Sequence, residues 1–175
     1  MESQRLPKKI FSASVIWWML CASAWSVPSL SGKWVVEPAQ SSALDPWRKI
    51  VLDIEVEGSA VTIAREVSAG RRVSSATYPL KIDETVKVPV AWWTGNRHIG
   101  AYMGGDGTET MRATWLDDRT LGVVSHYTLA TSQGETPVRS TFEYRLSTDQ
   151  QRLTVIELRS SRDRPIVHVY TRLES

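Results

Sequence analysis

One cysteine, Cys21, and three histidines, His98, His126 and His168, are all that this 175-residue chain holds of thiol and imidazole. The histidine spacings match no compact metal motif, so no metal and no cofactor is expected. No Gly-x-Ser-x-Gly nucleophile elbow occurs. Ser125 and His126 are neighbours in sequence, so on a strand their side chains face opposite ways and form no nucleophile pair. Gly104-Gly105-Asp106-Gly107 is followed by neither Lys-Ser nor Lys-Thr and opens no helix, so it reads as a hairpin turn rather than a phosphate loop. No catalytic residue is assigned on these grounds. Helical periodicity is also missing: after the first two dozen residues no stretch of ten follows a 3.6-residue repeat.

The first segment reads as a leader. Arg5, Lys8 and Lys9 precede an apolar run from Ile10 to Leu20 broken only by two serines, and Ala22-Ser23-Ala24 offers small residues for cleavage. Residues 1–24 therefore read as a secretory signal peptide and residues 25–175 as the mature domain. The run falls short of the about 20 apolar residues a bilayer requires, so no integral span is expected once it is removed. A retained anchor is the competing reading, and lipidation at Cys21 is opposed by the bulky Leu20 before it. Removal takes Cys21 away and leaves neither disulfide nor thiol chemistry. It also takes Arg5, Lys8 and Lys9 against Glu2, the whole formal charge of +2, so the mature domain is neutral and lacks the basic field that nucleic acid requires. The expected location is periplasmic or secreted. The lack of disulfides favours a bacterial over a eukaryotic export route.

What the mature chain does have is alternation. Ile50, Leu52, Ile54 and Val56 alternate with Val51, Asp53, Glu55 and Glu57, and Val61 and Ile63 continue after a turn at Gly58. Val86, Val88, Val90 and Trp92 form another stripe. So do Met111, Ala113 and Trp115; Leu121 through Leu129; Val138 through Leu146; Leu153 to Leu158; and Ile166 to Leu173. Turn residues separate these runs at Ala69-Gly70, Thr94-Gly95-Asn96, Asp117-Asp118, Gln133-Gly134 and Thr148-Asp149. Short connections pair sequential strands antiparallel. The expected fold is all-β: a single antiparallel meander closed into a barrel of about 8–10 strands, since closure removes unpaired edges. A sandwich is the alternative, but its crossovers need longer connections. Between Pro38 and Trp47 one helical turn fits.

Both ends of the mature chain carry motifs. Ser31, Gly32, Trp34, Pro38 and Ser41 stand at the front; Tyr144, Leu146, Ser147, Asp149, Leu153 and Thr154, then Tyr170 and Arg172, stand at the back. This pairing resembles the lipocalin-like, calycin-type barrel domain of secreted bacterial proteins, in which Gly-x-Trp lies on the first strand. The likeness covers nearly the whole mature chain. Classical lipocalins also have a Thr-Asp-Tyr in the later turns and a C-terminal helix, which this sequence lacks. The resemblance implies a barrel seal, with Trp34 plugging the closed end and the Arg172 guanidinium stacked on its ring, a contact worth about 0.5–2 kcal/mol.

Aromatic residues suggest a lined interior. Trp47, Trp92, Trp115, Tyr127, Phe142 and Tyr144 are candidate ligand-binding residues, since aromatics with a few polar tips line small-molecule pockets. Trp47, in the one long polar connection near the front, is a candidate lid. Arg112 alternates with Met111 and Trp115. Facing inward it would anchor an acidic ligand group; facing outward it is a solvated charge. The leading expectation is an exported barrel that binds a small, largely apolar or amphipathic molecule non-covalently. A filled barrel docking on an envelope protein partner is the second reading, and a small barrel isomerase or hydrolase is the third.

Overall fold

The computed structural model describes residues 29–42, 44, 47–90, 102–103 and 107–173. The proposed leader and Trp92 lie outside these residues. The strands are β1 (Gly32–Val36), β2 (Lys49–Glu57), β3 (Ala60–Ala69), β4 (Arg72–Lys81), β5 (Thr85–Pro89), β6 (Tyr102–Met103), β7 (Thr108–Trp115), β8 (Thr120–Thr131), β9 (Gly134–Leu146), β10 (Arg152–Arg159) and β11 (Ile166–Arg172). The expected helical turn is a single 3-10 turn at Pro38–Gln40, with proline at its start.

Ten strands follow one antiparallel path, β4-β3-β2-β1-β11-β10-β9-β8-β7-β5, and β6 pairs with β8 off that path. The first strand meets the last: Trp34 pairs with Arg172 and Val36 with Tyr170. The barrel is therefore nearly closed, and all-β as its alternation requires. Among the described residues no ladder joins β4 to β5. The chain crosses that seam at one end, where Ile82 bridges to Ala113 and the Asp83 amide donates to the Ala113 carbonyl at 2.8 Å.

Two-residue turns connect β2 to β3 and β3 to β4. Each starts with a glycine in the left-handed region, Gly58 (φ 59°) and Gly70 (φ 60°), where a side chain would be strained. Beyond the end of β1 the chain keeps following β11. Glu37 and Ser42 donate backbone hydrogen bonds to Val169 and Val167, each at 2.7 Å, and Ser41 Oγ accepts from the Val169 amide at 2.9 Å. The front motif thus includes its proline and serine because this segment is sewn to the last strand.

Strand parity decides what faces inward. Leu52 and Ile54 on β2, Val61 and Ile63 on β3, Leu121 and Val123 on β8, and Leu153 and Val155 on β10 are all buried. They gather with Leu30, Trp34, Leu80, Ala113 and Leu146 in one apolar core. Burial of each such side chain contributes about 1.5–3 kcal/mol. This core fills the end of the barrel that holds the start of β1 and the end of β11.

Candidate functional site

The filled end closes around Trp34, which is 0% exposed. Its indole N–H donates to the Leu30 carbonyl at 3.0 Å, and the Arg172 guanidinium lies 4.1 Å from the ring centroid. Arg172 also spends its donors on three carbonyls: Nη1 to Ser31 at 2.7 Å, Nη2 to Ser29 at 3.0 Å and Nε to Gln150 at 3.0 Å. Gly32 explains the spacing of the motif. Its φ is +136°, and a Cβ there would stand 2.5 Å from Arg172 Nη1, so only glycine lets the guanidinium reach across the tryptophan.

The inward stripes change character toward the other end. On β7, β8, β9 and β10 they carry Glu109, Ser125, Tyr127, Ser140, Glu157 and Arg159, all buried. Register aligns them: Ser125 is opposite Ser140, and Ser140 is opposite Arg159. Ser125 Oγ donates to Glu109 Oε2, and Arg159 Nε donates to Glu157 Oε1. The Tyr127 hydroxyl sits 3.4 Å from Ser140 Oγ. Buried carboxylates and guanidinia persist only where hydrogen-bonded or paired, and here Ser125 serves Glu109 while Glu157 serves Arg159 Nε.

Two further inward groups complete this half. Arg65 on β3 stands opposite Leu52 and Ala76 and is half-buried. His168 on β11 stands opposite Val155, and its ring meets Tyr170 edge-on at 6.3 Å. The buried Nε2 of His168 has no hydrogen-bond partner among the described residues. Burial, followed by the nearby positive charges of Arg65 and Arg159, lowers the His168 pKa from 6.5 to about 4, so the ring is neutral at ordinary pH. Burial raises the Glu109 carboxyl above its usual range, opposed by the Ser125 hydrogen bond and by Arg65. Burial likewise raises the phenols of Tyr78, Tyr144 and Tyr170, which lie between the two ends.

The residues expected to line an interior divide among these regions. Tyr127 belongs to the polar band, and Tyr144 is buried in the aromatic middle. Phe142 faces inward beside it, half-buried, its ring 6.5 Å from that of Tyr144. Trp115 is half-buried opposite Leu121, at the filled end of its strand and away from the polar band. Trp47 packs half-buried against the core, with its amide donating to the Leu44 carbonyl at 2.8 Å. Arg112 requires a correction: it lies between buried Met111 and Ala113, faces outward, and reaches Asp83 at 3.6 Å with both side chains more than half exposed. It is a solvated charge on the barrel wall.

Arg65, Glu109, Glu157, Arg159 and His168 were not among the expected site residues. Their signal lies in parity. Arg65 continues the stripe of Val61 and Ile63, Glu109 precedes Met111 at the same spacing, and Glu157 and Arg159 follow Leu153 and Val155. A polar residue that keeps the inward parity of an apolar stripe is an interior polar residue.

A nearly closed ten-strand antiparallel meander whose first and last strands pair has the fold of the calycin-type barrels. The fold matches a REP1-NXSQ fatty acid transporter with a TM-score of 0.51 at 11% identity, covering 83% of this chain and 97% of that one. It also matches a Schistosoma mansoni fatty acid binding protein in complex with arachidonic acid (TM-score 0.52, 13% identity, 85% and 99% covered). Human cRBP IV gives 0.51 at 14% identity, with 83% and 98% covered. No family model matches the chain, and no curated protein sequence does. The likeness is one of fold.

Proposed function

We propose that this protein is an exported carrier that holds a small, largely apolar molecule non-covalently inside its barrel. One observation carries the reading. Away from Trp34, the inward-facing Arg65, Ser74, Ala76, Phe142 and His168 are only half-buried, whereas Trp34, Ile54, Leu121 and Leu153 at the sealed end are closed off from solvent. A side chain that faces the inside of a barrel and still meets solvent borders unfilled space, and aromatic walls with a few polar groups suit an apolar ligand. The fold neighbours named for fatty acids support the same reading. Export rests on the leader-like residues 1–24.

Native mass spectrometry of the protein purified from its own host tests the proposal. The expected result is an added mass that is released on unfolding, on a chain beginning after Ala24. An unliganded mass, together with no Nile red fluorescence on mixing, would sink it.

A further inference from the structure

We infer that the rim corner made by Arg48, Lys49, Arg71 and Arg72 with Val73 docks the barrel on an anionic lipid surface. This rests on the carrier reading above and adds the surface with which the carrier exchanges its load.

Strand register gathers these residues. Lys49 starts β2 opposite Ser68, near the end of β3, and the Arg48 amide donates to the Ser68 carbonyl at 2.9 Å. Arg72 starts β4 opposite Ala69, and Arg71 shares the tight turn with Gly70. Val73 flanks Ser68 on the side away from Lys49, and at 61% it is the most exposed large hydrophobic side chain among the described residues. All four cations are exposed, and none forms an ion pair among the described residues. The acids of β2, Asp53, Glu55 and Glu57, lie toward its other end, β4 has none, and Glu66 on β3 stands two positions before Ser68.

The Trp34 end treats its cations differently. There Lys33 pairs with Asp53, Lys81 with Glu84, Arg112 with Asp83, Arg119 with Asp118 and Arg145 with Glu143. Cations neutralised in place project little field, whereas four unpaired ones at a single corner project a local positive field. The domain after the leader is neutral overall, so this field orients the molecule without making it generally basic. The corner lies at the end opposite Trp34, where inward-facing Arg65 and Ser74 still meet solvent. Docking there turns the unsealed half of the barrel toward the docked surface.

The chemistry of the corner selects a bilayer. Guanidinia bind phosphate oxygens in pairs, and each cation near an anionic bilayer strengthens attachment about fivefold. An apolar side chain set among the cations enters the acyl boundary beneath the head groups. A nucleic-acid duplex offers Val73 no such layer. A carrier of apolar molecules also has to load and unload where such molecules dissolve.

The test is co-sedimentation of the protein purified from its own host with vesicles of phosphatidylcholine alone or with one-third phosphatidylglycerol. Anionic vesicles are expected to bind at least about tenfold more tightly, and about 1 M salt should abolish the difference. Arg71→Gln with Arg72→Gln should weaken anionic binding about twenty-five-fold, and Val73→Ser about threefold. Lys33→Gln with Arg145→Gln removes the same charge from the other end and should change binding by less than about twofold. All these side chains are exposed, and an unchanged urea midpoint for each variant checks that the fold is kept. Equal binding to both vesicles, no loss in the Arg71 and Arg72 variant, or an equal loss in the Lys33 and Arg145 variant would overturn the inference. So would binding of polyglutamate or a DNA duplex without binding of vesicles. Nile red fluorescence without vesicles reads the carrier function separately, so a failure of docking and a failure of carriage appear in different signals.

Discussion

The sealed end of this barrel and the polar band beyond it are built from the same strands and carry opposite kinds of inward residue. At the sealed end every inward position is apolar or stacked, and Trp34, Leu121 and Leu153 are wholly excluded from water. A few residues along, the same stripes turn to Glu109, Ser125, Ser140, Glu157 and Arg159. Apolar packing yields stability directly, whereas a buried ion pair is weak evidence of stability, because desolvation offsets much of its attraction. The comparison teaches a division of labour: one end holds the fold, and the other accommodates buried polar groups that add little to stability.

The division can be broken experimentally, and the largest effect should come from the seal. Trp34→Ala is expected to destabilise by about 3–5 kcal/mol in urea unfolding, while Nile red affinity of the folded fraction stays near wild type. A parallel loss of affinity would show that the two ends are not separable.

Acid should act on the other end. A base whose folded pKa is depressed binds fewer protons when folded. Its contribution is therefore intact above the ordinary 6.5 of His168, lost as pH falls from there to about 4, and constant below. Glu109 has the opposite sign, because its raised pKa makes the folded state hold the proton and lose stability as pH rises above 4.5. Subtracting the stability of His168→Gln from that of wild type at each pH cancels the Glu109 contribution. The difference should decline across the His168 window by at most about 3 kcal/mol. A flat difference would mean that His168 is hydrated as in the unfolded chain.

The smallest effect should be Arg112→Gln. Its ion pair with Asp83 lies on the exposed outer wall, so urea stability should move by no more than about 0.5 kcal/mol and ligand affinity not at all. A change in affinity would return Arg112 to the site.

The meander was legible because period-two alternation persists through Ile50–Val56, Met111–Trp115 and Val138–Leu146 and is punctuated by turn residues. The tryptophan and arginine of the seal were legible from their places on the first and last strands. The polar band was not, because charged residues are ordinarily assigned to the outer face. Alternation fixes a face only relative to neighbours on the same strand, which is why Arg112 stayed open until Met111 and Ala113 were seen buried on either side. The buried, unpartnered Nε2 of His168 had no sequence signal, since it depends on which groups other strands bring near it.

The seal also sets the order in which this barrel can finish folding. Ser31 and Arg172, joined by one of its hydrogen bonds, are 141 positions apart in the chain. Contacts of such separation close large loops, and folds governed by them reach the native state slowly, on the order of milliseconds to seconds. While the chain is being made, β1 can gain β2 but must wait for β11, and Trp34 stays uncovered until the last strand arrives.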